Sequence, residues 1–443
     1  MNKTTKIILF LIFGISILYS FTSQVPPMVD AKKYDNFAVH LSQGGNYDVG
    51  YLKFAGPGYP LFLAGIYSIF GHSYVLIWII QAVLHTLTAY FVLRISEKLF
   101  QNWPHQKSIS ILAMSLYGFY PDLIQSTAFL MTETLYLFLI TVATYLCLKL
   151  LDQPNQYLKI FFPIVLGTTI LVRPVALIFF LFALLFYGFQ KKYQEAIFLL
   201  VITILIIAPF SYLFSQKTGT FTLLSNAGGF DLWLGNNPQA NGEIIAIPES
   251  TAIFKGLTDT EANKKGIQEV LKFIKEKPLN WLDLQITKTS KYFSLIRPYG
   301  FWFYLSKLQQ LLIVIPSAIF LFIIFGFGLS GLWVSLRQMP TKINKLFALL
   351  ALSAPASIIP IIVEPRFRFQ IYPFLTIYAA YVIILLIKNF SLVPKIEKKI
   401  VAFVFLILIS NAAIDVYREK DLVISRLKFY RNNESQDFRI DSK

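Results

Sequence analysis

The chain has 443 residues, of which 56% are hydrophobic, 16% aromatic and only 14% charged, with a mean hydropathy of +0.59. That balance excludes a water-soluble enzyme and describes a polytopic membrane protein. The net charge of +16 does not point to nucleic acid, because Lys and Arg fall between apolar runs, where they orient spans, rather than on one basic face.

Lys3 and Lys6 precede an apolar run at 7–21 that also resembles a secretory signal, but Ser20-Phe21-Thr22-Ser23 is a poor cleavage site and many further runs follow. An uncleaved first span with a cytoplasmic amino terminus is therefore expected. A polar stretch follows, carrying Asp30, Tyr34 and Asp35. The run at 59–70 is shorter than the roughly 20 residues a crossing needs, so it is expected to lie along the outer interface. Taking 75–93 as the second crossing places Arg94, Lys98 and Lys107 in the cytoplasm, as the positive-inside rule asks. Further spans are expected at 108–120, 134–151, 160–172, 174–189 and 196–214.

Hydropathy drops from 215 to 310, which reads as an exterior domain. Thr258-x-x-Glu261 predicts a capping box before an apolar face of Ile267, Val270, Leu271 and Ile274. Pro278 suits the start of a second helix carrying Trp281, Leu282 and Leu284. The aromatic stretch 299–304 reads as a membrane-interface belt. The last spans are expected at 311–336, 346–363, 371–387 and 400–411, before a basic tail with Arg418, Lys420, Arg426 and Lys428. The expected fold class is thus an all-α polytopic membrane protein with about 11 crossings. Its units are a transmembrane catalytic module at 1–214 with a first exterior loop at 22–74, an exterior domain at 215–310, carboxyl-terminal helices at 311–415 and a polar tail at 416–443. No repeat or low-complexity tract is visible.

Cys147 is the lone cysteine, and His40, His72, His85 and His105 are scattered, so neither a thiolate cluster nor metal-ligand spacing exists. No cofactor is assigned, and a divalent metal stays open but unsupported by ligand spacing. Four polar clusters recur at the exterior ends of spans: Asp30 and its neighbours, Thr132-Glu133-Thr134, Arg173-Pro174, and Glu364-Pro365-Arg366-Phe367-Arg368. A charge at membrane depth is expensive, so their convergence suggests a shared polar cavity. The plainer alternative is capping for Glu133 and snorkelling for Arg173 and Arg366.

The order Asp30-x-x-x-Tyr34, Gly44-Gly45-Asn46-Tyr47, then Pro57 to Gly65, followed by Leu130-Met131-Thr132-Glu133, Val172-Arg173-Pro174, Leu234-Gly235-Asn236-Asn237-Pro238 and Glu364 to Arg368, resembles the GT-C membrane glycosyltransferases related to protein O-mannosyltransferases and bacterial lipid A aminoarabinose transferases. The resemblance implies a sugar donor carried on a polyprenyl phosphate and transfer on the exterior, periplasmic face of a bacterial inner membrane. A glycolipid, polysaccharide or protein would be the acceptor, with membrane lipids as surroundings and no nucleic-acid partner. Asp30 is then the general base, Arg173 a bidentate phosphate clamp and Arg366 or Arg368 a second clamp, with Tyr34 and Glu133 contacting substrate. Asn236 and Asn237 either touch sugar hydroxyls or only make a turn. The family's first-loop acid is sometimes an adjacent pair, whereas Ala31 follows Asp30, which favours a lone base over a metal-bridged mechanism. The competing readings are a transporter or flippase of lipid-linked sugars, for which inverted repeats are not evident, and a non-catalytic envelope-assembly factor.

Overall fold

The computed structural model describes residues 2–47, 56–243, 251–295, 307–389, 394–418 and 420. The expected belt at 299–304 and tail residues Arg426 and Lys428 lie outside them. Every regular element among the described residues is helical.

Among the described residues, seven helices are long and apolar enough to cross a membrane: α1 (Lys3–Ser23), α4 (Tyr74–Leu99), α7 (Thr132–Asp152), α10 (Tyr193–Thr218), α14 (Lys307–Gln338), the stretch Pro365–Lys388 that takes in most of α16 (Tyr372–Asn389), and α17 (Lys395–Arg418). The eleven-crossing expectation also counts α5 (Gln106–Gly118), α8 (Gln156–Val172), α9 (Ala176–Phe189) and α15 (Lys342–Ile358), which have only 13 to 17 residues. At about 1.5 Å per residue these are shorter than a hydrocarbon core of about 30 Å. They pack among the longer helices and on each other, α5 on α4 and α16, α8 on α7 and α10, α9 on α10 and α15, and α15 on α7. Helix ends at membrane depth are tolerated when protein rather than lipid surrounds them. The shortness of α8 and α15 thereby leaves room for polar turns at one end of the bundle.

Three shorter helices attach at that end. α2 (Asp30–Ser42) lies on α3 (Gly58–Phe70), and α6 (Pro121–Ser126) follows α5. The start of α3 is pressed against the last turn of α8: a Cβ on Gly58 would stand 2.7 Å from the Val172 nitrogen, so only glycine permits that approach. Asp35, on the side of α2 away from Asp30, is buried and ties three elements together. It accepts hydrogen bonds from Tyr67 (2.7 Å) and Tyr74 (2.6 Å), and His72 Nε2 stands 2.9 Å away.

The segment after α10 folds as α11 (Gly228–Leu234), α12 (Asp259–Glu276) and α13 (Pro278–Tyr292). The expected capping box forms at Thr258 and Glu261, and Pro278 opens α13. The apolar face of α12 is rotated from the expectation: Val270 and Phe273 are buried, while Ile267 and Leu271 are exposed, and Gly266 lets the backbone of α12 meet that of α11 at Gly229.

Candidate functional site

Local chemistry sets each of the polar side chains at this end of the bundle. Pro174 disfavours helical backbone at the residue before it. α8 therefore stops at Val172, and Arg173 becomes extended (φ −143°, ψ 112°) at its cap. Glu364 is extended before Pro365 for the same reason, and Pro365 opens a 3-10 helix over Pro365–Ile371. Asp30 stands in the first turn of α2, where the helix dipole favours an anion. The preceding Val29 adopts φ 48°, ψ −115°, a conformation suited to glycine and costly for a β-branched residue by about 1–3 kcal/mol.

These elements converge on two ion pairs. Arg366 Nη2 lies 3.0 Å from Asp30 Oδ2, and Arg173 Nη1 lies 3.2 Å from Glu133 Oε1. The pairs are neighbours, because the guanidinium carbons of Arg173 and Arg366 lie 5.3 and 5.2 Å from the centre of the same ring, that of Phe367. Arg173 also faces Tyr136 at 5.5 Å. Glu133 is 2% exposed, whereas Asp30 keeps 27% of its side chain accessible, so the carboxylate open to an incoming group is Asp30. Tyr34, one turn after Asp30 on the same face, sits among all four charges with its ring edge-on to Tyr59. Burial, then the charges of Asp30 and Glu133, push its phenol well above the ordinary tyrosine range, against the pull of Arg366 and Arg173.

Asp30, Tyr34, Glu133, Arg173 and Arg366 are thus brought together. Arg368 is not with them. A 3-10 helix has about three residues per turn, so positions two apart project to different sides. Arg368 is 1% exposed, donating to the Tyr292 (3.3 Å) and Ser294 (2.8 Å) carbonyls with its guanidinium against Phe325. Asn236 and Asn237 are buried in the turn after α11. Asn236 donates to the Leu232, Pro360 and Ile361 carbonyls and accepts from Trp281, Gln285 and Lys288, while the Asn237 amide bonds to Trp233 and Leu234 carbonyls and Gln239 N. Asn236 thereby pins α11 and α13 to the segment that leads into Glu364, and Asn237 closes its own turn, so the hydrogen-bonding capacity of both is consumed.

Sequence reasoning missed Phe367, Tyr136 and Asp231. The first was legible as the residue between two arginines, and Tyr136 as one turn from Glu133. Asp231, on α11, had no local signal. Desolvation, then the charge on Asp30, push its carboxyl up to about 6. No group of three or more His, Cys, Asp or Glu suited to a metal ion occurs among the described residues.

No protein-family model matches the chain, and no curated protein does. Among solved structures it is similar to ArnT from Cupriavidus metallidurans bound to undecaprenyl phosphate, at 13% identity over 85% of this chain and 78% of that one, with a TM-score of 0.41. At that distance the likeness assigns neither an activity nor a residue role.

Proposed function

We propose that this protein is a membrane glycosyltransferase that moves a sugar from a polyprenyl-phosphate-linked donor to an acceptor hydroxyl at the bundle end that carries Asp30. The observation that carries the reading is the pair of arginines, Arg173 and Arg366, gathered on the Phe367 ring beside a partly open carboxylate. Two like charges held close in a half-buried site suit an anionic group spanning both, and guanidinium matches phosphate oxygens bidentately.

In this reading the donor phosphate draws Arg366 from Asp30 Oδ2 and is held by Arg366 and Arg173 together. The acceptor oxygen attacks the anomeric carbon as the bond from that carbon to the phosphate oxygen breaks. The phosphate leaves with the bonding pair, and Asp30 takes the proton of the acceptor hydroxyl, giving inversion at the sugar. Glu133 keeps Arg173 in place, and Tyr34 lines the acceptor side.

The test is binding of undecaprenyl phosphate to the purified protein in nanodiscs, together with mass spectrometry of envelope glycans from cells with and without the protein. Saturable binding weakened on Arg173→Ala, and one glycan missing from the depleted cells, are expected. Absence of binding removes the donor assignment, and unchanged glycans remove the transfer.

A further inference from the structure

At the opposite end of α1 from Asp30, a half-open cavity of about 240 Å³ lies between the start of α1, the last turns of α4 and the first turns of α5. The 21 residues of α1 separate it from the site above by roughly 30 Å, so it is not part of it. Its walls include Thr5, Tyr90, Arg94, Glu97 and Lys107.

The arrangement is polarised. Arg94 Nε is fixed on Glu97 at 3.1 Å and Nη1 donates to the Tyr90 hydroxyl at 3.0 Å. Its Nη2 has no partner among the described residues, and neither has the ammonium of Lys107. Glu97 offsets only one of the two cations. A guanidinium held in one orientation, a second cation free to close and a neighbouring cavity suit a phosphate group. Leu93 and Ile111 add apolar wall beside Asn2 and Ser110, and Leu87, Val83 and Ile79, on the same face of α4 as Arg94, are exposed along the span leading away from the cavity. An acyl chain has a track there that a soluble anion does not use.

We propose that this cavity binds the phosphate headgroup of an anionic membrane lipid, on the membrane face opposite the Asp30 site. The proposal is independent of the transfer reading, since none of its residues belongs to that site.

The experiment is native mass spectrometry of the full protein in neutral detergent, titrated with phosphatidylglycerol or phosphatidylcholine, with inorganic phosphate as competitor. Lys107→Gln changes an exposed residue and leaves the fold intact, and Arg94→Gln is the second variant. Lys345→Gln, on another basic link at the same bundle end, is the control. Phosphatidylglycerol should be retained in preference to phosphatidylcholine, and each cavity variant should weaken that retention roughly tenfold, the equivalent of one charge-assisted hydrogen bond. Retention that resists millimolar phosphate identifies the lipid as the source, and displacement identifies a soluble phosphate with the same cavity chemistry. Equal retention by the cavity variants, no preference between lipids, or the same loss with Lys345→Gln overturns the proposal.

Discussion

Arg366 Nη2 closes on Asp30 Oδ2 at 3.0 Å, joining residues 336 positions apart. The contact ties the turn after the first span to the turn before α16, and its two members are the base and one phosphate clamp of the proposed reaction.

Replacing Asp30 by Asn keeps the size and most hydrogen bonding of the side chain but removes its capacity to take a proton. Turnover by the purified enzyme should fall roughly 100- to 10,000-fold with undecaprenyl phosphate binding retained. Asp35→Asn should act differently: it removes the charge that Tyr67, His72 and Tyr74 converge on, costing about 1–3 kcal/mol of stability in a denaturation experiment. Matching turnover losses in equally stable variants would contradict the assignment of Asp30.

Arg173→Lys retains a counter-charge for buried Glu133 but loses the planar fork. Undecaprenyl phosphate affinity should drop, and drop further in Arg173→Ala, by about 1.5–3 kcal/mol for the lost charge-assisted hydrogen bond. Affinity equal to wild type in both variants would return Arg173 to a packing role against Tyr136 and Phe367.

Gly58→Ala places a Cβ 2.7 Å from the Val172 nitrogen, a backbone atom that cannot rotate away. The start of α3 and the end of α8 must separate, costing about 1–3 kcal/mol. Because Arg173 follows Val172 directly, donor affinity should fall with stability. A melting temperature identical to wild type would show that this approach is not tight.

Lys288 is buried with its amine on Asn236 Oδ1 (2.8 Å) and the Ile361 carbonyl (3.0 Å), and burial pushes the amine down to about 7. An unfolded lysine titrates near 10.4. Between about 7 and about 10 the folded chain therefore binds fewer protons than the unfolded one, so stability rises with pH across that window. Urea denaturation at the two ends of the window should show this rise in wild type and a flatter profile in Lys288→Met. Identical slopes would mean that the amine stays charged when folded.

Local periodicity and turn chemistry made the membrane class, most helix positions, the capping box at Thr258 and the shared face of Asp30 and Tyr34 readable from the residues alone. Each depends on neighbours within about one helical turn. The ends of α8 and of the 3-10 helix at 365 were equally legible, since a proline restrains the residue before it. Which polar side chains meet was decided only in the tertiary structure. Nothing in Glu364 to Arg368 as a string tells that Arg366 faces Asp30 while Arg368 turns inward to Tyr292, because that depends on a short 3-10 turn and on which helices flank it. In the sequence Asn236 and Asn237 suit either sugar contact or a turn; in the fold Lys288, Gln285 and the carbonyls before Glu364 close around Asn236, and the Trp233 and Leu234 carbonyls around Asn237. Asp231 gains its shifted carboxyl from burial and from Asp30, some 200 positions away. Such contacts are selected by the packing of many helices at once, so no local pattern in the chain records them.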